Sequence, residues 1–155
     1  MDTASKIQKY ENITKQILAV VEGEENHVAK MATISCLLKA EFPYYYWCGF
    51  YIVDPLKPDQ LVIGPYQGTM GCLRIPFGKG VCGTAAKEKS TQVVEDVHAI
   101  ANHIACDAAS TSEIVVPIIR DNKLLAVLDV DSTEVASFDD TDKKYLEELL
   151  KRAFT

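Results

Sequence analysis

Three cysteines and three acids are the side chains of this 155-residue sequence whose types and surroundings could do chemistry. Cys72, Cys82 and Cys106 all lie in glycine-rich or irregular segments near expected strand ends. Thiols in such places can reach solvent and ionise, and the thiolate is the nucleophilic form. Cys82 stands near the start of an expected short helix, whose dipole favours the anion. Cys106 follows His103 by three residues and precedes Asp107. Taken one at a time, each of these thiols is equally well read as packing. Cys36 in a helical pattern and Cys48 in an apolar strand are expected to be buried structural thiols. There is no C-x-x-C pair, and His98, His103 and Cys106 match familiar zinc spacings poorly. No metal is expected.

Asp129 and Asp131 are two apart in an otherwise apolar strand, so both point to one face. The opposite face, Leu124, Ala126, Leu128 and Val130, is wholly apolar, and Leu125 and Val127 beside the acids are apolar too. Such a strand is central and covered on both sides, where two carboxylates are costly unless they serve a ligand or lie at a mouth. The plainer reading is that they mark the exit of the strand into a solvated loop. Glu113 begins the partner strand. A three-residue loop of Asp121, Asn122 and Lys123 would put it directly opposite Asp131, on the acidic face; a two-residue loop would turn it away. Clustered, the three acids would repel one another and raise at least one pKa. Such a cluster could attract a cation and keep one acid protonated for proton donation.

The elements that hold these residues follow from periodicity. Ile7, Tyr10, Ile13 and Ile17 recur at helical spacing, then a Gly-Glu-Glu-Asn break at 23–26 precedes a second helix through Val28, Met31, Ile34 and Leu38. Strand-like runs begin with 44–53, followed by a turn-rich segment at 54–60 and a hairpin partner at 61–66. Shorter strands are expected at 72–77 and 91–95, with a glycine-rich turn feeding a short helix at 78–89. Residues 96–111 lack strand periodicity; they and 67–71 read as lids. A hairpin of 113–119 and 124–132 follows, then a closing amphipathic helix with Tyr145, Leu146, Leu149, Leu150 and Phe154 on one stripe and Asp140 or Thr141 as its cap. This order implies one α+β domain over 1–155, with a mostly antiparallel sheet and its terminal helices packed on one face.

Composition bounds the function. The chain is 48% hydrophobic and 25% charged, close to an average globular protein. A net charge of −6 gives no basic field for nucleic acid or anionic membranes. No apolar stretch approaches the roughly 20 residues that span a bilayer, and the polar N-terminus lacks a signal-peptide core. A cytoplasmic location is expected, where thiols stay reduced, and five cysteines then make a disulfide framework a poor explanation.

The segments WCGFY (47–51), GPYQGTMGC (64–72), FGKGVCGTA (77–85), HIACDAASTSEIVVPI (103–118) and LDVDS (128–132), in that order, closely resemble the free methionine-(R)-sulfoxide reductases, stand-alone GAF-domain enzymes. The likeness spans essentially the whole chain. It implies a central six-stranded, mostly antiparallel sheet flanked by helices, and reduction of free methionine-(R)-sulfoxide to methionine. By match to the family motifs, Cys106 would be the nucleophile and Cys72 or Cys82 the resolving thiol. Glu113, Asp129 and Asp131 match the acidic pocket residues, and Trp47 and Tyr51 its aromatic wall.

The implied chemistry suits these side chains. A Cys106 thiolate would attack the sulfoxide sulfur while Glu113 protonates its oxygen, leaving a sulfenic acid that condenses to a disulfide. Thioredoxin or a similar dithiol would restore the thiols, Asp129 and Asp131 would pair with the substrate ammonium, and no cofactor is needed. The family and the amphipathic terminal helices suggest a homodimer. The alternatives are a non-catalytic small-ligand-binding GAF sensor and a thiol redox sensor.

Overall fold

The computed structural model describes residues 1–103 and 106–155. Ile104 and Ala105, inside the His103–Cys106 motif and the expected lid over 96–111, lie outside the described residues.

Two helices open the chain. Helix α1 (Thr3–Val21) starts where the Asp2 side chain accepts from the Ser5 N–H at 2.7 Å, and it buries Tyr10, Ile13, Ile17 and Val21. Helix α2 (His27–Glu41) is capped by Asn26, which accepts from the Ala29 N–H at 3.0 Å, and it buries Met31, Ile34 and Leu38. Two expectations fail on α2. Val28 is 59% exposed, at the edge of the buried stripe, and Cys36 is exposed rather than buried. Cys36 adjoins the buried Ser35 and lies two residues from the buried Ile34 and Leu38, so the helical rotation turns it to solvent.

Six strands follow: β1 (Trp47–Asp54), β2 (Lys57–Gln67), β3 (Arg74–Pro76), β4 (Gln92–Val94), β5 (Ser112–Arg120) and β6 (Lys123–Ser132). They form one sheet in the order β3-β2-β1-β6-β5-β4, with every neighbouring pair antiparallel. The turn expected over 54–60 is shorter than its composition implied. Asp54 pairs directly with Lys57, so only Pro55 and Leu56 turn and residues 57–60 are already strand. Helix α3 (Gly80–Glu88) lies between β3 and β4, a short 3-10 turn covers Val97–Ala99, and α4 (Asp140–Ala153) closes the chain. The cap of α4 is Asp139, one residue before the expected position: it accepts from Thr141 and Asp142 N–H groups, while Asp142 accepts from the Asp139 N–H at 2.8 Å.

The sheet has two unequal sides. Helices α1, α2 and α4 cover one face with a large apolar core that includes Phe42, Phe50, Ile114, Leu128, Leu146 and Phe154. Helix α3 and irregular segments cover the other, around Trp47, Tyr51, Leu61, Ile75, Ala85, Val115 and Val127. Among the described residues, no helix is long and apolar enough to cross a membrane.

One irregularity decides which face the acids use. The β5–β6 loop has two residues, Asp121 and Asn122, both at positive φ as such a tight turn requires. From the turn alone, Glu113 would face away from Asp131. A bulge intervenes: Ile119 pairs with Leu124 but Ile118 with Ala126, so Leu125 is an extra residue on β6. Beyond it the register is that of a three-residue loop, and Glu113 pairs with Asp131. The same bulge reverses the expected sides of Leu124 and Leu125. Leu124 packs with the Trp47 cluster and Leu125 with the helix-side core.

Candidate active site

Strand register brings the predicted residues into rows. Trp47, Asp131 and Glu113 are consecutive partners across β1, β6 and β5, with Gly49, Asp129 and Val115 in the next row and Tyr51 opposite Val127 beyond. Strand alternation points Trp47, Tyr51, Glu113, Asp129 and Asp131 to the α3 side of the sheet. There they line one cavity with Cys82, Cys106, His103, Ser110, Lys79 and the loop residues Met70 and Gly71. Cys72 joins this group through a disulfide to Cys106, with the two Cα atoms 5.5 Å apart and a sequence separation of 34. Cys106 is exposed and Cys72 half-buried, so the bond sits at the mouth. Cys82, 4% exposed, and Cys48, fully buried in the helix-side core, are both unbonded.

The floor of the cavity is acidic. Glu113 and Asp129 are 7% and 6% exposed, and Asp131 is half-buried. Burial holds the Glu113 carboxyl well above the usual range, reinforced by the charges of Asp129 and Asp131. Asp131 is likewise pushed well up by burial and then by the Asp129 charge, while hydrogen bonding with Glu113 opposes the shift. Asp129 is raised by burial, against hydrogen bonds from Glu113 and Cys82. Desolvation thus outweighs the mutual repulsion expected from sequence. The Cys82 thiol, 3.9 Å from Glu113 Oε2, is driven well above its ordinary value by burial and then by the three acids. This corrects the expectation that the start of α3 would favour its thiolate: the local dipole is outweighed by a dry, acidic environment. Asp129 Oδ1 is buried with no hydrogen-bond partner among the described residues.

The wall is aromatic and tethered. Trp47 stacks on Tyr66 at 5.0 Å and on Tyr51 at 5.9 Å between ring centroids. Its Nε1–H donates to the Thr69 carbonyl at 2.7 Å, tying the loop before Cys72 to the wall. Asp107, next to Cys106, ties that loop from the other side. Its Oδ2 accepts from Thr69 Oγ1 at 2.6 Å and from the Tyr46 hydroxyl at 2.7 Å, and its Oδ1 accepts from the Ala109 N–H at 2.9 Å. These donors hold the Asp107 carboxyl below the usual range, the Thr69 hydroxyl most of all. Asp107, Tyr46 and Thr69 were not singled out as site residues from sequence. The Asp107–Ala109 contact is a side-chain turn that Asp two residues before a free N–H commonly makes, which was the available signal.

A disulfide at the mouth, buried protonatable acids on the floor and an aromatic wall form a redox pocket for a small polar molecule. The GAF domain family model matches residues 46–153. The free methionine-R-sulfoxide reductase of Escherichia coli is 43% identical over 146 residues, covering 94% of this chain and 87% of that one. The chain belongs to the free methionine-R-sulfoxide reductase family of GAF domains. Its relative in Saccharomyces cerevisiae, a free methionine-R-sulfoxide reductase, is 43% identical over 150 residues, covering 91% of this chain and 83% of that one. The structure of the Neisseria meningitidis free methionine-R-sulfoxide reductase in complex with its substrate superimposes with a TM-score of 0.92 at 45% identity, covering 99% of this chain and 89% of that one. The GAF fold accounts for the six-stranded antiparallel sheet and its flanking helices. The Cys72–Cys106 disulfide at the mouth fits a redox cysteine mechanism.

Proposed function

We propose that this chain, acting as a single domain over 1–155, reduces free methionine-(R)-sulfoxide to methionine. The observation that carries this reading is the Cys72–Cys106 disulfide at the mouth of a cavity floored by Glu113, Asp129 and Asp131.

In the reduced enzyme the Cys106 thiolate attacks the electrophilic sulfoxide sulfur. The oxygen is a poor leaving group until protonated, and Glu113, kept protonated by burial, supplies the proton. The protonated oxygen passes to the Cys106 sulfur as its bond to the substrate sulfur and the transient sulfur–sulfur bond both break, so methionine departs as the thioether and Cys106 is left as a sulfenic acid. The Cys72 thiol then attacks that sulfur, water leaves, and the disulfide closes. One sulfoxide and two thiols therefore give one thioether, one disulfide and one water. A dithiol protein of the thioredoxin type returns two electrons by exchange, as the cytoplasm would supply. Cys72 is preferred to Cys82 as the resolving thiol because Cys82 is buried among acids that oppose its ionisation.

Trp47 and Tyr51 pack on the methyl and thioether groups, where sulfur–aromatic contact is favourable. Asp129 and Asp131 take the ammonium group, which exists only on the free amino acid, and the bare Asp129 Oδ1 is an acceptor waiting for such a donor. Peptide-bound sulfoxide lacks that charge and is rejected. A homodimer is the assembly this reading carries from the family.

The test is turnover of resolved R and S free methionine sulfoxides with excess dithiol, reading methionine by chromatography, with Cys106→Ser alongside. R-selective turnover lost in the variant supports the reading. No turnover of either diastereomer by fully reduced protein would overturn it in favour of a ligand-binding module.

A further inference from the structure

Cys82 has no part in the Cys72–Cys106 pair, yet it is not packed as a spare apolar thiol. Its sulfur, one Glu113 oxygen and one Asp129 oxygen all lie within 4.8 Å of one another, and all three residues are over nine-tenths buried. They come from α3, β5 and β6, at positions 82, 113 and 129, so no sequence spacing announces them. Asp129 Oδ1 is buried without any hydrogen-bond partner among the described residues. The cavity they line opens past the exposed Cys106, Met70 and Lys79.

We propose that Cys82, Glu113 and Asp129 form an inhibitory zinc site, which a single Zn²⁺ reaches through the substrate mouth. The donor set argues for the ion. One thiolate with carboxylate oxygens suits a borderline-soft cation, whereas magnesium and calcium ask for oxygen alone. Tetrahedral zinc with ordinary Zn–S and Zn–O lengths places sulfur and oxygen about 3.6 Å apart. The Cys82 Sγ–Glu113 Oε2 distance is already 3.9 Å, so small side-chain rotations close the site. Asp131, paired with Glu113 on the neighbouring strand, or a water completes the coordination. Binding releases the Cys82 thiol proton and any proton held by the carboxyls to solvent, with no change of oxidation state. The binding claim is independent of the proposed reaction; only the claim of inhibition rests on it.

The oxidised protein provides the test, because its Cys72–Cys106 disulfide removes the two other thiols of the site from coordination. Cobalt(II) titrated into it is expected to give a thiolate-to-metal charge-transfer absorption that saturates at one ion per chain and is displaced by Zn²⁺. Cys82→Ser should abolish the band, and Asp129→Asn should weaken apparent affinity by at least about tenfold. The band should persist in a Cys72→Ser, Cys106→Ser double variant, which keeps the test valid if the oxidised form is heterogeneous. A missing band in wild type, or one that survives Cys82→Ser, overturns the site. Inhibition is read in a single turnover of pre-reduced enzyme with no added thiol: zinc should suppress methionine formation, and raising the sulfoxide concentration should relieve it. A metal that binds without suppressing that turnover overturns the inhibitory role. Absence of methionine without zinc would instead count against the proposed reaction and leave the cobalt result standing.

Discussion

Gly49→Ala tests whether the aromatic wall depends on close backbone approach between β1 and β2. Gly49 pairs with Tyr66 on one side and Asp129 on the other, directly beneath the Trp47–Tyr66 stack. An added Cβ would overlap Tyr66 Cβ, and would lie 2.7 Å from Tyr66 Cα and 2.9 Å from Trp47 Cη2. Two of these three atoms are fixed by the strand itself, so rotamer changes cannot clear them. The strands must spread or the indole must leave its place. Overpacking commonly costs 1–3 kcal/mol, and a clash with fixed atoms belongs at the upper end, about 3 kcal/mol. With an unfolding entropy of about 0.3 kcal/mol/K for a chain of this length, the melting temperature should fall by roughly 9 °C. In an open strand the same change would stabilise by about 0.5–1 kcal/mol, so even the sign is diagnostic. Thermal unfolding followed by far-UV circular dichroism gives the shift. Trp47, the sole tryptophan, reports the wall in the near-UV. The KM for free sulfoxide should rise more than kcat falls. Trimming the ring with Tyr66→Ala should give no relief, since Cβ remains. An unchanged or higher melting temperature with an unaltered near-UV spectrum would refute the reasoning.

Three further outcomes are expected. Cys82→Ser should retain a Cys72–Cys106 bond in non-reducing peptide mapping after oxidation by substrate, while Cys72→Ser should form one methionine per chain and stall with a protein dithiol; a bond through Cys36 or Cys48 would contradict the assignment. Asp142→Ala should cost about 3 kcal/mol in chemical denaturation, because it leaves the buried Lys6 with only the more distant, exposed Asp139 carboxylate at 3.4 Å in place of the partner at 2.8 Å and removes the acceptor of the Tyr10 and Tyr44 hydroxyls; a loss below about 1 kcal/mol would show that the pair adds little. His103 should titrate below the usual imidazole range, since burial and then the nearby His98 both disfavour its charge; His98→Gln should move that titration upward, though not fully, in an NMR pH series, and no movement would remove His98 as a cause.

Long periodic segments were legible from sequence because burial imposes their spacing. The stripe of α4 and the alternation of β6 from Ala126 onward needed no tertiary information. What was not legible depended on one extra residue or on contacts between distant loops. The face of Glu113 turned on the bulge at Leu125, and neither the two-residue nor the three-residue loop considered alone describes it. The resemblance left Cys72 and Cys82 both open as partners for Cys106. The fold separates them by placing Cys82 inside α3 and Cys72 on the loop tethered by Thr69. Asp142 was not singled out from sequence, yet it is fully buried with Lys6, Tyr10 and Tyr44 around it. Capping chemistry pointed to the right turn of the chain but not to the depth at which it is buried.

The two sides of the sheet divide stability from chemistry, and this division explains why buried acids are tolerable. Three carboxyls and a thiol held out of water weaken the folded state. The strands that carry them, β1, β5 and β6, are each anchored on the opposite face by Phe50, Ile114, Val116, Leu128 and Val130. Those same strands place Trp47, Glu113, Asp129 and Asp131, so the helix-side core positions the site without touching it. The Asp142 network extends this control to the chain entering β1: Tyr44 binds Asp142 directly, Tyr45 binds Tyr10, and Trp47 follows two residues later. Substitutions on the helix side should therefore disturb stability and substrate affinity together. Neutralising an acid on the other side should weaken activity while stabilising the fold. A variant such as Asp129→Asn that lost activity and also lost stability would mean that the acids contribute to folding, and this division would have to be abandoned.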